Sequence, residues 1–260
     1  MLKNQRIIVT GAAGGIGRSI AHNLLEQGAK LSLFEKDEAL CDVIRAELPK
    51  SSDIAYFAAD LADPQAIANA VTRASENMGG ISGLVNNAAI LHADDGNPCE
   101  TSLKSFEHTL QINVTGAFLM CKHVLPHMLA NGGSIVTLSS VVARSASATP
   151  QIAYTTSKGA LEAMTREIAI AYARHNIRAN SIAPGPVLTE RTAHYFDTEE
   201  KWEKRRRHIP AGRLGQTNEV ASLVAYLLSP HAAYMTGGVY PIDGGISAAY
   251  VVDDTVLPKE

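Results

Sequence analysis

Ile7-Ile8-Val9-Thr10-Gly11-Ala12-Ala13-Gly14-Gly15-Ile16-Gly17 leads from a β-branched run through a glycine-rich turn into a helical pattern. Ile7, Ile8 and Val9 read as a buried strand. Ile16, Ile20 and Leu24 share one face of the helix, which ends near Gly28. Glycines between strand and helix let the backbone turn tightly. They also let a pyrophosphate approach the helix N-terminus, where free N–H groups and the positive dipole end meet its charge. A plain βα connection would look the same, so the next strand has to decide. It runs from Leu31 to Phe34 and ends at Glu35, about 20 residues past the glycines, where a carboxylate can accept hydrogen bonds from ribose hydroxyls.

Glu35 would repel a 2′-phosphate, while the neighbouring Lys36 could help to hold one. The balance predicts NAD, with NADP the less favoured cofactor. Five more strands follow: Ile54 to Ala59, Gly83 to Asn86, Ile135 to Leu138, Ile177 to Ile182, and Val239 to Ile242. Helical patterns separate them. Asp63-Pro64 starts one, with an Asp cap and Pro at the first helical position. Val220, Leu223, Val224, Leu227 and Leu228 give a late helix its apolar stripe. Strands alternating with helices predict parallel pairing through right-handed crossovers, hence a Rossmann-type, doubly wound α/β fold with a seven-stranded parallel sheet. Such sheets bind ligands at the carboxyl ends of their strands. There Asp60 could hydrogen-bond an adenine amino group, with Leu61 packed beside it. A capping role in the βα loop is the plainer reading of Asp60.

The chain has 260 residues, 46% hydrophobic, and a net charge of −3. That suits one domain over 1–260 and gives no sign of a nucleic-acid or anionic-membrane partner. No run approaches the ~18 apolar residues of a membrane helix, and no secretory signal is read at the N-terminus. Cys41, Cys99 and Cys121 are widely spaced, without CxxC, which fits a reducing cytoplasm. His123 and His127 share a helix face but lack a third ligand, so no metal is expected.

Tyr154 and Lys158 lie four residues apart, on one face of a helix. A phenol near its ordinary pKa of ~10 is a poor base at neutral pH, and a nearby ammonium favours its ionised form. The spacing alone also fits an ordinary half-exposed helix face. Its context is more telling. Ser139-Ser140 directly follows the fifth strand, at a ligand-binding end, and a hydroxyl there can hold a substrate oxygen. Asn113 sits in an apolar helical stretch, where a polar side chain can disturb backbone bonding and hold a water.

With these residues in order, the chain resembles the short-chain dehydrogenase/reductase family, in its single-domain form, from Arg6 to Gly245. The family's TGxxxGxG falls on Thr10 to Gly17, with Gly11, Gly15, Ile16 and Gly17 expected at the cofactor. Its Asn, Ser, Tyr and Lys tetrad falls on Asn113, Ser140, Tyr154 and Lys158. Its proline-glycine turn is Pro184-Gly185, with Val187 and Thr189 expected near the nicotinamide carboxamide. Gly212-Arg213-Leu214-Gly215, Thr236-Gly237-Gly238 and Asp243-Gly244-Gly245 match its late segments. The usual Asn-Asn-Ala-Gly is Asn86-Asn87-Ala88-Ala89 here, which adds a methyl near the cofactor ribose; Asn87 and Ala88 are expected to line that site.

The resemblance implies the mechanism. Ser140 and Tyr154 hold the substrate oxygen, and Tyr154 takes its proton as hydride leaves for the nicotinamide. Lys158 holds the ribose and lowers the Tyr154 pKa, and Asn113 supports a water linking Lys158 to solvent. It also implies a homotetramer, formed through the late helix and the helix bearing Tyr154. Similar sequences include sugar 1-dehydrogenases, and the tail Asp243 to Tyr250 resembles theirs. An aldose is therefore the expected substrate, ahead of a 3-oxoacyl thioester and of a hydroxysteroid or cyclic diol. A non-catalytic nucleotide sensor would typically lack the Tyr or the Lys. The polar segment 186–212 reads as a lid. Within it Arg205, Arg206 and Arg207 form either a solvated helix face or a clamp for an acidic or sulfonated sugar.

Overall fold

The computed structural model describes residues 1–147 and 149–249. Ala148 and the end of the chain, including Tyr250 of the sugar-dehydrogenase-like tail, lie outside the described residues. Seven strands form one sheet: β1 (Arg6–Thr10), β2 (Lys30–Glu35), β3 (Ile54–Ala58), β4 (Gly83–Asn86), β5 (Gly133–Leu138), β6 (Ile177–Pro184) and β7 (Val239–Ile242). All pairings are parallel, in the order β3-β2-β1-β4-β5-β6-β7. This is the doubly wound Rossmann-type α/β architecture expected from the sequence.

Alternation along β1 splits the core between the two faces of the sheet. Ile7 and Val9 point to α1 (Gly15–Glu26) and α8 (Thr217–Leu228), meeting Ile20, Leu24, Val220 and Val224. Ile8 points to the other face, where α3 (Pro64–Met78) and α5 (Ala117–Met128) contribute Ile67, Val71, Met120 and Val124. Both faces are covered, so the strands read as continuous apolar runs. The remaining helices are α2 (Glu38–Glu47), α4 (Leu103–Leu110), α6 (Ile152–Tyr172) and α7 (Glu199–Arg206).

The Asp-Pro signal performs as expected. The Asp63 side chain accepts from the N–H groups of Gln65 and Ala66, Pro64 opens α3, and Gly79 at φ +73° closes it. One stretch is less regular than expected. The helical pattern around Asn113 is interrupted by a π-helical turn, Gln111–Gly116, between α4 and α5. Such turns expose backbone groups and occur often at functional sites. Among the described residues no helix is long and apolar enough to cross a membrane.

Strand order reverses between β1 and β4, so the turns after Thr10 and Asn86 diverge to opposite sides. The crevice between them is where an open α/β sheet presents its ligand site.

Candidate active site

Two turns wall the crevice and are tied together. Thr10 Oγ1 accepts from the N–H groups of Asn87 and Ala88, at 3.1 Å each. Asn87 Nδ2 donates back to the carbonyls of Thr10 and Gly11, at 3.0 and 2.8 Å. Gly11 takes φ +66°, and a Cβ there would meet Ala88 Cα at 2.8 Å. A Cβ on Gly17 would lie 2.0 Å from the Gly11 carbonyl oxygen. Only glycine permits either approach. Gly14 precedes α1 and supplies no side-chain cap, which leaves the first-turn N–H groups of Gly15 and Ile16 without a capping side chain.

At the end of β2, Glu35 is buried, and its Oε1 accepts from the Ala13 N–H of the glycine turn at 2.5 Å. Burial raises its pKa, and the hydrogen bonds from Ala13 and Lys36 pull it back. A glycine cradle over a helix N-terminus, with a carboxylate beside it, fits a dinucleotide whose ribose hydroxyls face that carboxylate. Asp60 turns onto its own loop, its Oδ1 accepting from Ala62 N–H at 2.9 Å, while Leu61 is buried.

The candidate reacting groups come from three elements. Ser140 follows β5 and one more serine, and its hydroxyl lies close enough to Tyr154 on α6 to favour the ionised phenol. Lys158, one turn further along α6, is buried and donates from Nζ to the Leu138 carbonyl at 2.7 Å. Its Nζ lies 5.3 Å from the centroid of the Tyr154 ring. Burial pushes the Lys158 ammonium down to about 7, and the charge of Arg191 adds to that. Burial raises the Tyr154 phenol, opposed by the Arg191 charge and the Ser140 hydroxyl. The fourth residue, Asn113, sits in the π-helical turn. Its Oδ1 accepts from Ile90 N–H at 2.8 Å, and its Nδ2 donates to the Ile90 carbonyl and to Ser157 Oγ, at 3.0 Å each. Ser157 Oγ in turn donates to the Tyr154 carbonyl at 2.7 Å. Asn113 therefore couples the turn after β4 to the helix carrying Tyr154 and Lys158.

Local sequence patterns gave no hint of three supporting groups. Both carboxylate oxygens of Asp95 accept from the first amides of α6, from Ala153 at 3.0 Å and Tyr154 at 2.9 Å. Gln151, the residue at the cap position, provides no side-chain cap, so Asp95 caps α6 with a bond to Tyr154 from 59 positions away. Glu162 is buried on α6 and accepts from Ser139 Oγ at 2.9 Å and from Arg144 Nε at 3.0 Å. That pins the serine loop to the helix. Arg191 is the third, acting electrostatically on Tyr154 and Lys158.

The segment after β6 reaches back over the glycine turn. Pro184 ends the strand, and Gly185 packs where a Cβ would meet Asp243 Cα at 2.8 Å. Val187 is buried and bridges to Gly215. Thr189 approaches Gly15, whose added Cβ would lie 3.0 Å from the threonine Cβ. Arg205 and Arg206 ride on α7, where Glu203 grips the Arg206 guanidinium at 2.7 and 3.0 Å.

A family model described as enoyl-(acyl carrier protein) reductase matches residues 11–247. The chain is 35% identical to 2-(S)-hydroxypropyl-CoM dehydrogenase 3 of Xanthobacter autotrophicus, over 95% of this chain and 98% of the relative. It is 32% identical to glucose 1-dehydrogenase of Gluconobacter oxydans, over 94% and 92%. The crystal structure of a short-chain dehydrogenase/reductase from Brucella melitensis, described as glucose/ribitol dehydrogenase, superposes with a TM-score of 0.87. It shares 34% identity and covers 95% of this chain and 98% of its own.

Proposed function

The chain belongs to the short-chain dehydrogenase/reductase family, and on that premise we propose that it oxidises a hydroxyl of a small polar substrate with NAD, most naturally the anomeric hydroxyl of an aldose. The observation that carries the reading is the convergence of Ser140, Tyr154 and Lys158 at the strand ends beside the glycine cradle. Glucose and L-rhamnose 1-dehydrogenases among the relatives support the sugar.

Gly11, Gly15, Ile16 and Gly17 would hold the pyrophosphate, and Glu35 the adenosine ribose. Asp60 and Leu61 would border the adenine. Asn87, Ala88, Pro184, Val187 and Thr189 would line the nicotinamide half, and Lys158 its ribose. The nicotinamide, when bound, supplies the acceptor for the carbinol hydride. Ser140 donates a hydrogen bond to the substrate oxygen. Tyr154, as phenolate, accepts the hydroxyl proton. Lys158 as ammonium stabilises that phenolate, and Asn113 holds the turn through which a water would relay the proton outward. The 186–212 segment acts as the lid over this pocket. The reading includes a cytoplasmic homotetramer.

A second reading, reduction of a 3-oxoacyl thioester, draws on the family model's acyl-carrier description. NAD and NADP reduction across neutral sugars, acidic or sulfonated sugars, polyols and sterols separates the two. Strong turnover of one sugar with NAD is the expected result. Silence there, with 3-oxoacyl thioesters reduced instead, would move the assignment to the reductase.

A further inference from the structure

Arg191 places a positive charge beside this pocket. It is exposed, two residues beyond Thr189, and its Nη1 donates to the Ala89 carbonyl at 3.3 Å. Ala89 lies between Ala88, which packs on Gly11, and Ile90, which Asn113 holds. The guanidinium thus spans from the segment after β6 to the turn that borders the reacting groups. Among the described residues no carboxylate lies within ion-pair distance of it. Neighbouring cations are matched: Arg18 pairs with Glu47 and Glu190, Lys201 with Asp197, and Arg206 with Glu203. The Arg191 charge also acts on Tyr154 and Lys158, so an anion held by it would lie near the hydroxyl-binding groups.

We propose that Arg191 recognises an anionic group on the substrate, a carboxylate, sulfonate or phosphate monoester a few bonds from the hydroxyl held by Ser140 and Tyr154. This rests on the alcohol-oxidising reading of the pocket and narrows its substrates to hydroxylated acids. A guanidinium suits such oxygens because its planar N–H fork can bind two of them at once. The other source of anionic oxygens is the dinucleotide's own phosphates, for which the free amides at the start of α1 are already placed.

Calorimetry on the enzyme saturated with NADH reads charge preference without turnover. The probes are gluconate and 2-hydroxyethanesulfonate, against the uncharged glucitol and ethylene glycol. At least one anion should bind more tightly than its neutral counterpart. Arg191→Ala should cut that preference by roughly 10- to 100-fold, the range of a hydrogen bond to a charged group. Arg191→Lys should keep part of it. Arg174→Ala, at the opposite end of the sheet, should keep all of it. No measurable anion binding, equal affinity for both members of each pair, or a preference untouched by Arg191→Ala would overturn the proposal. So would an Arg191→Ala variant that loses NADH affinity and keeps the preference, since the guanidinium would then serve the dinucleotide. Anion preference in a protein that oxidises no alcohol would refute the proposed activity and leave the Arg191 site standing.

Discussion

Lys158 and Tyr154 are each pushed by burial toward the neutral form, the lysine down to about 7 and the phenol upward. An unfolded lysine keeps its proton to about 10.4. Between those values the unfolded chain binds the extra proton, so this group makes stability rise with pH. Melting of the cofactor-free protein should therefore favour wild type over Lys158→Met increasingly from about pH 7 to about 9; a constant difference would refute the shift. Glu35 carries the proposed cofactor choice. Glu35→Ala removes both the ribose acceptor and the charge that repels a 2′-phosphate, and it strands the Ala13 N–H. The NAD-to-NADP ratio of kcat/KM should fall by roughly 10-fold or more, and an unchanged ratio would show that specificity lies elsewhere. The candidate site was largely legible at this scale. Tyr154, Lys158, Ser140 and Asn113 stand out because a strand end or a helix period fixes where each side chain emerges. Arg191 was not legible, since nothing in Thr189-Glu190-Arg191 tells that its guanidinium reaches Ala89 across the crevice.

Elements show the same division. Every strand was readable from its apolar run, and β1, β2, β3, β5 and β6 differ from expectation only at their ends. The π-helical turn was not readable, because Asn113 adopts it through bonds to Ile90 and Ser157, both distant in sequence. The cap of α6 was hidden for the same reason. Asp95 reaches the helix from a loop on the far side of α4 and α5, and no pattern near Gln151 records it. Asp95→Ala should cost about 1–2 kcal/mol, the usual value of a lost helix cap. Because the amide of Tyr154 is itself released, kcat should fall as well. A melting shift with kcat unchanged would confine Asp95 to stability.

Across the whole molecule, the reversal between β1 and β4 brings distant pieces of chain together: the glycine turn, the Asn87 turn, the serine loop and the catalytic helix. Parallel pairing made that crevice foreseeable, whereas the path of the segment after β6 depends on side-chain contacts such as Arg18 with Glu190. Exposed apolar side chains on α6 and α8, with Ile170 at 77% and Tyr226 at 38%, suit the proposed tetramer. Light scattering should give the mass of four 27.7 kDa chains, and Ile170→Glu should lower it; a monomeric wild type would refute the assembly. In the proposed mechanism Tyr154 moves the proton in a site that binds the dinucleotide independently of that hydroxyl. Turnover and NADH affinity of Tyr154→Phe test it most directly. A kcat at least ~100-fold below wild type with NADH affinity retained is the expected result, and turnover equal to wild type would contradict that role.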